Sequence, residues 1–215
     1  MTIDWLGHSC FKVTLKNGTR ILFDPYGDQI GYAPLDVEAD IVVISHKHHD
    51  HSDLSHVKGD YTLVREAGVY TFGDLTIEGI KTCHDKEQGA LRGENICFMI
   101  TINGMRLCHM GDLGCIPDNE TIGKLKGTEI LLIPVGGNYT IDACEALKIC
   151  EMVKPNIIIP MHFKTSATTL DIAPLNDFLE AAGREYDVSH LGKCYIKIDK
   201  ASLKKRTRII VMEYL

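Results

Sequence analysis

The strongest constraint on this chain is the segment Ser45-His46-Lys47-His48-His49-Asp50-His51, which follows directly on the β-branched run Ile41–Ile44. No strand interior can absorb four histidines and an aspartate in so few positions. They belong to a turn at a strand end, where neighbouring side chains can converge on one cleft. A metal asks for that convergence: several neutral imidazoles or carboxylates within about 2.0–2.2 Å of one point. In extended backbone, residues two apart point the same way, so His46 and His48 can serve one centre while Asp50 and His51 turn towards another. Four further polar residues repeat the placement. Asp24 ends Arg20–Phe23, His84 follows Leu75–Lys81, Asp112 follows Met105–His109 in His109-Met110-Gly111-Asp112, and His162 follows Ile157–Pro160. α/β folds build sites from loops at one edge of a sheet in this manner.

The rest of the chain supports a layered α/β protein. Its 215 residues predict one domain spanning 1–215, and 45% hydrophobic content is ordinary for a globular core. No apolar run reaches the ~20 residues of a membrane helix. The start, Met1-Thr2-Ile3-Asp4-Trp5, has no secretory signature. A net charge of −6 argues against nucleic acid as a partner, and Lys204-Lys205-Arg206-Thr207-Arg208 reads as a solvated turn. The eight cysteines form no C-x-x-C pair and sit mostly among apolar neighbours. Buried reduced thiols fit a cytoplasmic location.

Strands are expected at Cys10–Leu15, Arg20–Phe23, Ile41–Ile44, Tyr61–Val64, Val69–Phe72, Leu75–Lys81, Asn95–Ile102, Met105–Cys108, Ile130–Val135, Ile157–Pro160, Tyr195–Ile198 and Arg208–Met212. Asn17-Gly18 and Asn103-Gly104 signal hairpins. Helices are expected over Thr140–Lys154, capped by Thr140 or Asp142 and followed by Pro155, and over Asp171–Ala182, closed by Gly183.

The order Asp24, His46-x-His48-x-Asp50-His51, His84, Asp112, His162 resembles the five motifs of the metallo-β-lactamase superfamily over nearly the whole chain. Trp5-Leu6-Gly7-His8-Ser9, Phe23-Asp24-Pro25, Pro134-Val135-Gly136-Gly137 and Ile159-Pro160-Met161-His162-Phe163 are similar to a branch of small metal-dependent hydrolases. That branch includes ascorbate-6-phosphate lactonases and, more distantly, phospholipase D-type enzymes acting on N-acyl phosphatidylethanolamine. The resemblance implies a four-layer αββα sandwich with the site at one edge of two sheets. It implies that His46, His48 and His84 hold one metal, that Asp50, His51 and His162 hold a second, and that Asp112 bridges them. Asp24 would orient the histidine loop from behind, with His8 beside it.

The implied activity is hydrolysis by a dinuclear centre. Bound water can fall in pKa from about 15.7 to about 7, and the metal-bound hydroxide then attacks a carbonyl carbon or a phosphorus. Asp50 is the candidate to orient that hydroxide or take its proton, and His109 is a candidate to meet the substrate or protonate a leaving group. Two dications, two carboxylates and a hydroxide leave the site cationic, which favours a small anionic ester, lactone or phosphodiester. Arg92, Tyr139 and Lys164 are candidates to contact it. Zinc suits the donors, with manganese, iron or nickel compatible. Exposed edge strands make a homo-oligomer a reasonable expectation.

Other classes fare worse. A nuclease of the same superfamily needs a large insertion, and one strand and one helix fill the stretch between Asp112 and His162. A sensor that kept the fold would have lost ligands. A redox di-iron protein would need an acidic ligand in a histidine place and a flavin domain.

Overall fold

The structure is a computed structural model and describes all residues, Met1–Leu215. Two sheets carry the architecture. The six-stranded sheet runs in the order Tyr195–Lys197, Thr2–Gly7, Cys10–Thr14, Arg20–Phe23, Ile41–Val43, Thr62–Val64. Its first four strands pair antiparallel and its last three parallel. The eight-stranded sheet runs Asp187–His190, Arg208–Val211, Ile157–Met161, Ile130–Pro134, Met105–His109, Glu94–Ile102, Leu75–Cys83, Gly68–Phe72. The half towards Asp187 is parallel and the half towards Gly68 is antiparallel.

Side-chain alternation explains why the sheets stack. In the first sheet Phe11, Val13, Ile21, Phe23, Ile41 and Val43 join a 48-residue core shared with the second sheet. Their neighbours Cys10, Leu22, Val42 and Ile44 face outward into a separate 11-residue cluster. A strand that is apolar on both faces must be covered on both. The second sheet follows the same logic, with Ile130–Ile133 and Ile157–Ile159 fully buried. Helices Asn119–Leu125, Ala143–Val153 and Leu175–Ala182 bring Ile122, Leu125, Ile149, Val153 and Phe178 to its outer face. On the first sheet the outer layer is thin: Tyr26, Ile30, Tyr32 and Leu35 come from irregular chain and a single 3₁₀ turn, Asp28–Ile30, and Val37 from the two-residue strand Val37–Glu38.

Both Asn-Gly hairpins form. Asn103 and Gly104 have φ of 51° and 69°, and Ile102 pairs with Met105. The long helix is shorter than Thr140–Lys154, because Asp142 caps it through a reciprocal bond pair with Glu145, and Lys154 leaves it at φ 56°. The later helix does not begin at Asp171. Residues 171–174 are not helical, with Ala173 accepting from the Lys164 N–H, and extended Pro174 stands at the N-cap of a helix that starts at Leu175. Thr2–Gly7, Asn119–Leu125 and Asp187–His190 were not anticipated. Cys144 is exposed and Cys83, Cys115 and Cys194 are half-buried, so the thiols are less uniformly interior than their neighbours suggest.

Candidate metal centre

The ends of Arg20–Phe23, Ile41–Val43, Leu75–Cys83, Met105–His109 and Ile157–Met161, with the Gly7–Cys10 hairpin, lie at one edge of the sandwich. Asp24, His46, His48, Asp50, His51, His84, Asp112 and His162 meet there. Their donor atoms form three overlapping groups able to hold a cation: His46 with His48 and His84; His8 with Asp50, His51 and His162; and Asp24 with His46 and His51. The third is already spent, because Asp24 has turned its oxygens to the loop behind. Asp24 Oδ1 accepts from the Ser45 N–H at 2.7 Å, and Oδ2 accepts from Ser45 Oγ at 2.6 Å and from His51 Nδ1 at 3.0 Å.

These bonds fix tautomers. With Nδ1–H donated to Asp24, His51 turns its Nε2 to the cluster. With its hydroxyl proton given to Asp24, Ser45 Oγ accepts from His46 Nδ1 at 2.9 Å, so His46 also offers Nε2. Asp112 lies between the two groups. Its Oδ2 is 3.4 Å from His84 Nε2, 3.3 Å from His162 Nε2 and 3.8 Å from His46 Nε2, and its Oδ1 is 3.2 Å from His51 Nε2.

Two features show that the arrangement costs energy. His46 Nε2 and both ring nitrogens of His162 are buried without a hydrogen-bond partner. Such orphans are rare and each costs about 1–3 kcal/mol, which a bound cation would recover. His8, Asp24 and His162 also sit at left-handed φ of 52°, 44° and 50°. Non-glycine residues avoid that region by about 1–2 kcal/mol each. The donor set therefore fits a metal better than it fits an apolar interior.

Charge is consistent with that fit. Burial first, then the other histidines, pushes His46 down to about 3 and His8 down to about 4, so both are neutral donors at pH 7. Burial alone would raise Asp112, but His162 and His51 hold it well below the usual carboxylate range. Asp50 is likewise held down: burial would raise it, but the hydrogen bond from His8 and the charges of His51 and His8 together outweigh burial. His51 is the exception: burial would lower it, but Asp112, Asp24 and Asp50 raise it well above its ordinary value, so without metal it carries a proton on Nε2 that a bound cation would displace.

Backbone packing sets the positions. Gly111 has φ 55°, and a Cβ there would run into Asn95 and Ser45. That approach lets Asn95 Oδ1 accept from the Asp112 N–H at 2.9 Å while its amide donates to the Met110 carbonyl at 2.9 Å. Gly136 similarly lies against the His162 carbonyl, with no room for a side chain.

Two expected roles are displaced. His109 is fully buried, stacked on Phe23 at a centroid distance of 5.1 Å. Its Nε2 donates to the Ser9 carbonyl at 2.8 Å and its Nδ1 accepts from the Gly111 N–H at 3.1 Å. Both nitrogens are committed to backbone, so it pins two site loops and has no proton for a leaving group. Lys164 donates to the carbonyls of Thr168 and Leu170, at 2.9 and 2.6 Å, and closes its own loop. His8 moves nearer the centre than expected, with Nε2 3.2 Å from His51 Nε2 and 3.3 Å from Asp50 Oδ2. Arg92 and Tyr139 do line the cleft of about 350 Å³ over the cluster, with His48, His84, Asp112 and Leu170. Asn95, Ser45 and Asp85 were missed, since a lone Asn, Ser or Asp carries no signal until its neighbours in space are known.

Residues 2–162 match the model of the β-lactamase superfamily domain. A UPF0173 metal-dependent hydrolase from Carboxydothermus hydrogenoformans is 30% identical over 91% of this chain and all of that protein. Among solved structures, a metallo-β-lactamase superfamily protein from Thermotoga maritima, assigned as a Zn-dependent hydrolase, superposes with a TM-score of 0.81 at 30% identity, covering 100% and 99% of the two chains. A metallo hydrolase from Ignicoccus hospitalis shares the fold at 21% identity, with a TM-score of 0.68 over 99% and 94%. The chain belongs to the β-lactamase superfamily. Within it, the chain is a metal-dependent hydrolase of the UPF0173 family.

Proposed function

We propose that this chain is a dinuclear hydrolase acting on an anionic ester, lactone or phosphodiester. The observation that carries the reading is Asp112, a buried carboxylate whose two oxygens face imidazole nitrogens of both donor groups. His46, His48, His84 and Asp112 would hold one ion; Asp50, His51, His162 and Asp112 would hold the other. Zinc suits this set best, though manganese, iron and nickel accept the same donors. Two bound dications would lower the pKa of a shared water towards neutrality and polarise the substrate oxygen that gains charge. The chain's own residues do the rest. Asp50, which lines the cleft and accepts a hydrogen bond from His8, would orient the attacking water or take its proton. Ser45 and Asp24 keep His46 and His51 in their donating tautomers.

The test is elemental analysis of untagged protein, wild type and Asp112→Ala, with turnover of p-nitrophenyl esters, lactones and bis-p-nitrophenyl phosphate. About two equivalents of metal in wild type, falling to one or none in the variant together with turnover, is the expected result. A wild type that binds a single equivalent, or a variant that keeps both, overturns the dinuclear reading.

A further inference from the structure

Asp85 follows His84 directly, yet its carboxylate does not face the metal centre. It is buried and accepts four backbone N–H bonds, from Glu87 at 2.8 Å, Gly89 at 2.9 Å, Leu91 at 3.0 Å and Arg92 at 2.7 Å. Seven residues of loop are folded around one side chain. Such a clamp fixes where the loop ends, and it ends on Arg92.

Arg92 has no carboxylate within ion-pair distance, whereas its neighbour Glu94 is paired with Lys81 at 3.4 Å. Its guanidinium lies over the Tyr139 ring, 5.4 Å from the centroid. Stacking holds the plane of the fork and leaves its edge free for bidentate bonds to a carboxylate or phosphate. Arg92 lines the cleft over the metal donors and also a second cavity of about 340 Å³ beside the histidine loop. That cavity carries Lys47 and Arg65, neither of them in an ion pair, beside Glu66 and the Lys81-paired Glu94, and shares His48 and Arg92 with the first.

We infer that Arg92, positioned by Asp85, anchors a second anionic group of the substrate, a carboxylate or phosphate set apart from the scissile bond. The inference rests on the hydrolase reading above and narrows it: the substrate is a doubly functional molecule, with its reacting group at the metal donors and its anionic end at Arg92. Asp85 is a positioning residue and touches no substrate.

The experiment is calorimetric binding to metal-loaded protein of succinate, glutarate and adipate, each against the monocarboxylate of equal chain length. One carboxylate is expected at the metals and the other at Arg92. At least one diacid should bind about tenfold tighter than its monoacid, the worth of one charged hydrogen-bonded pair. Arg92→Gln should abolish that preference, Arg92→Lys should keep part of it, and Asp85→Asn should reduce it with metal content unchanged. If Asp85→Asn does not fold, Arg92→Gln alone decides. No diacid preference in wild type, or a preference that survives Arg92→Gln, overturns the inference. Absence of ester turnover with the diacid preference intact would instead strike the hydrolase reading and leave the anion site standing.

Discussion

At the scale of the residue, His109 and His8 exchange the roles their spacing suggests. His109 is three positions from Asp112, but it lies between Phe11 and Phe23 with both nitrogens bound to backbone. His109→Ala should therefore destabilise the fold by about 2–4 kcal/mol, from lost packing and an unpaired Ser9 carbonyl. Activity per folded molecule should hold within a few-fold. Chemical denaturation read beside kcat would separate the two, and a large kcat loss at unchanged stability would restore a chemical role. His8→Ala should do the opposite: one equivalent of metal weakly held, kcat down about 10²-fold, and a modest fall in Tm. Equilibrium dialysis against a zinc buffer reads the affinity. The residues that gather at the site were legible because a site of this kind needs rare residue types in a fixed order. His109 and Lys164 were misread because sequence gives distance along the chain and not the direction of a ring or an ammonium.

At the scale of the element, what the sequence exposed was periodicity and punctuation. Fully apolar strands such as Ile130–Pro134 and the two Asn-Gly hairpins are carried by local chemistry, and they formed as expected. The helix Asn119–Leu125 was invisible because seven residues give barely two turns, too few for a 3.6-residue period to show against background. The start of Leu175–Ala182 was misplaced because Ala173 and Pro174 are claimed by a tertiary pairing with Lys164, which no local pattern records. Caps make the opposite case. Asp142 and Glu145 satisfy each other at 2.9 and 3.1 Å, and this helix leads on to Pro155 and the strand that ends in His162. Asp142→Ala should cost about 1 kcal/mol, or roughly 2–4 °C in Tm at this chain length, with metal content unchanged. A thermal melt and elemental analysis on one preparation would check both halves.

At the scale of the whole molecule, the site is a liability that the fold carries until metal arrives. Four of its histidines, His8, His46, His84 and His109, are held below their ordinary pKa, chiefly by burial, and one, His51, is held above it by three carboxylates. The signs oppose each other. A histidine depressed in the fold binds a proton in the unfolded chain first, so below about pH 6.5 acid favours unfolding, progressively until the folded values of about 4 for His8 and about 3 for His46 are passed. His51 works in reverse: its contribution is full below its unfolded value and is lost as pH rises through its raised folded one. Asp24 and Asp112, both depressed, add stability above their unfolded value of 3.8 that is lost in stronger acid. Four depressed groups outnumber one raised, so the chelated protein should melt at steadily lower temperature from pH 6.5 down to pH 4. Added zinc at neutral pH should raise Tm by several degrees, because it binds the folded donors and finds no assembled site in the unfolded chain. The gain should shrink as protons compete for the same imidazoles. Scanning calorimetry from pH 4 to 8, with and without metal, measures both curves. A chelated protein that grows more stable towards pH 4 would mean that the buried histidines accept protons inside the fold, and that the cluster is built to hold charge of its own rather than a cation.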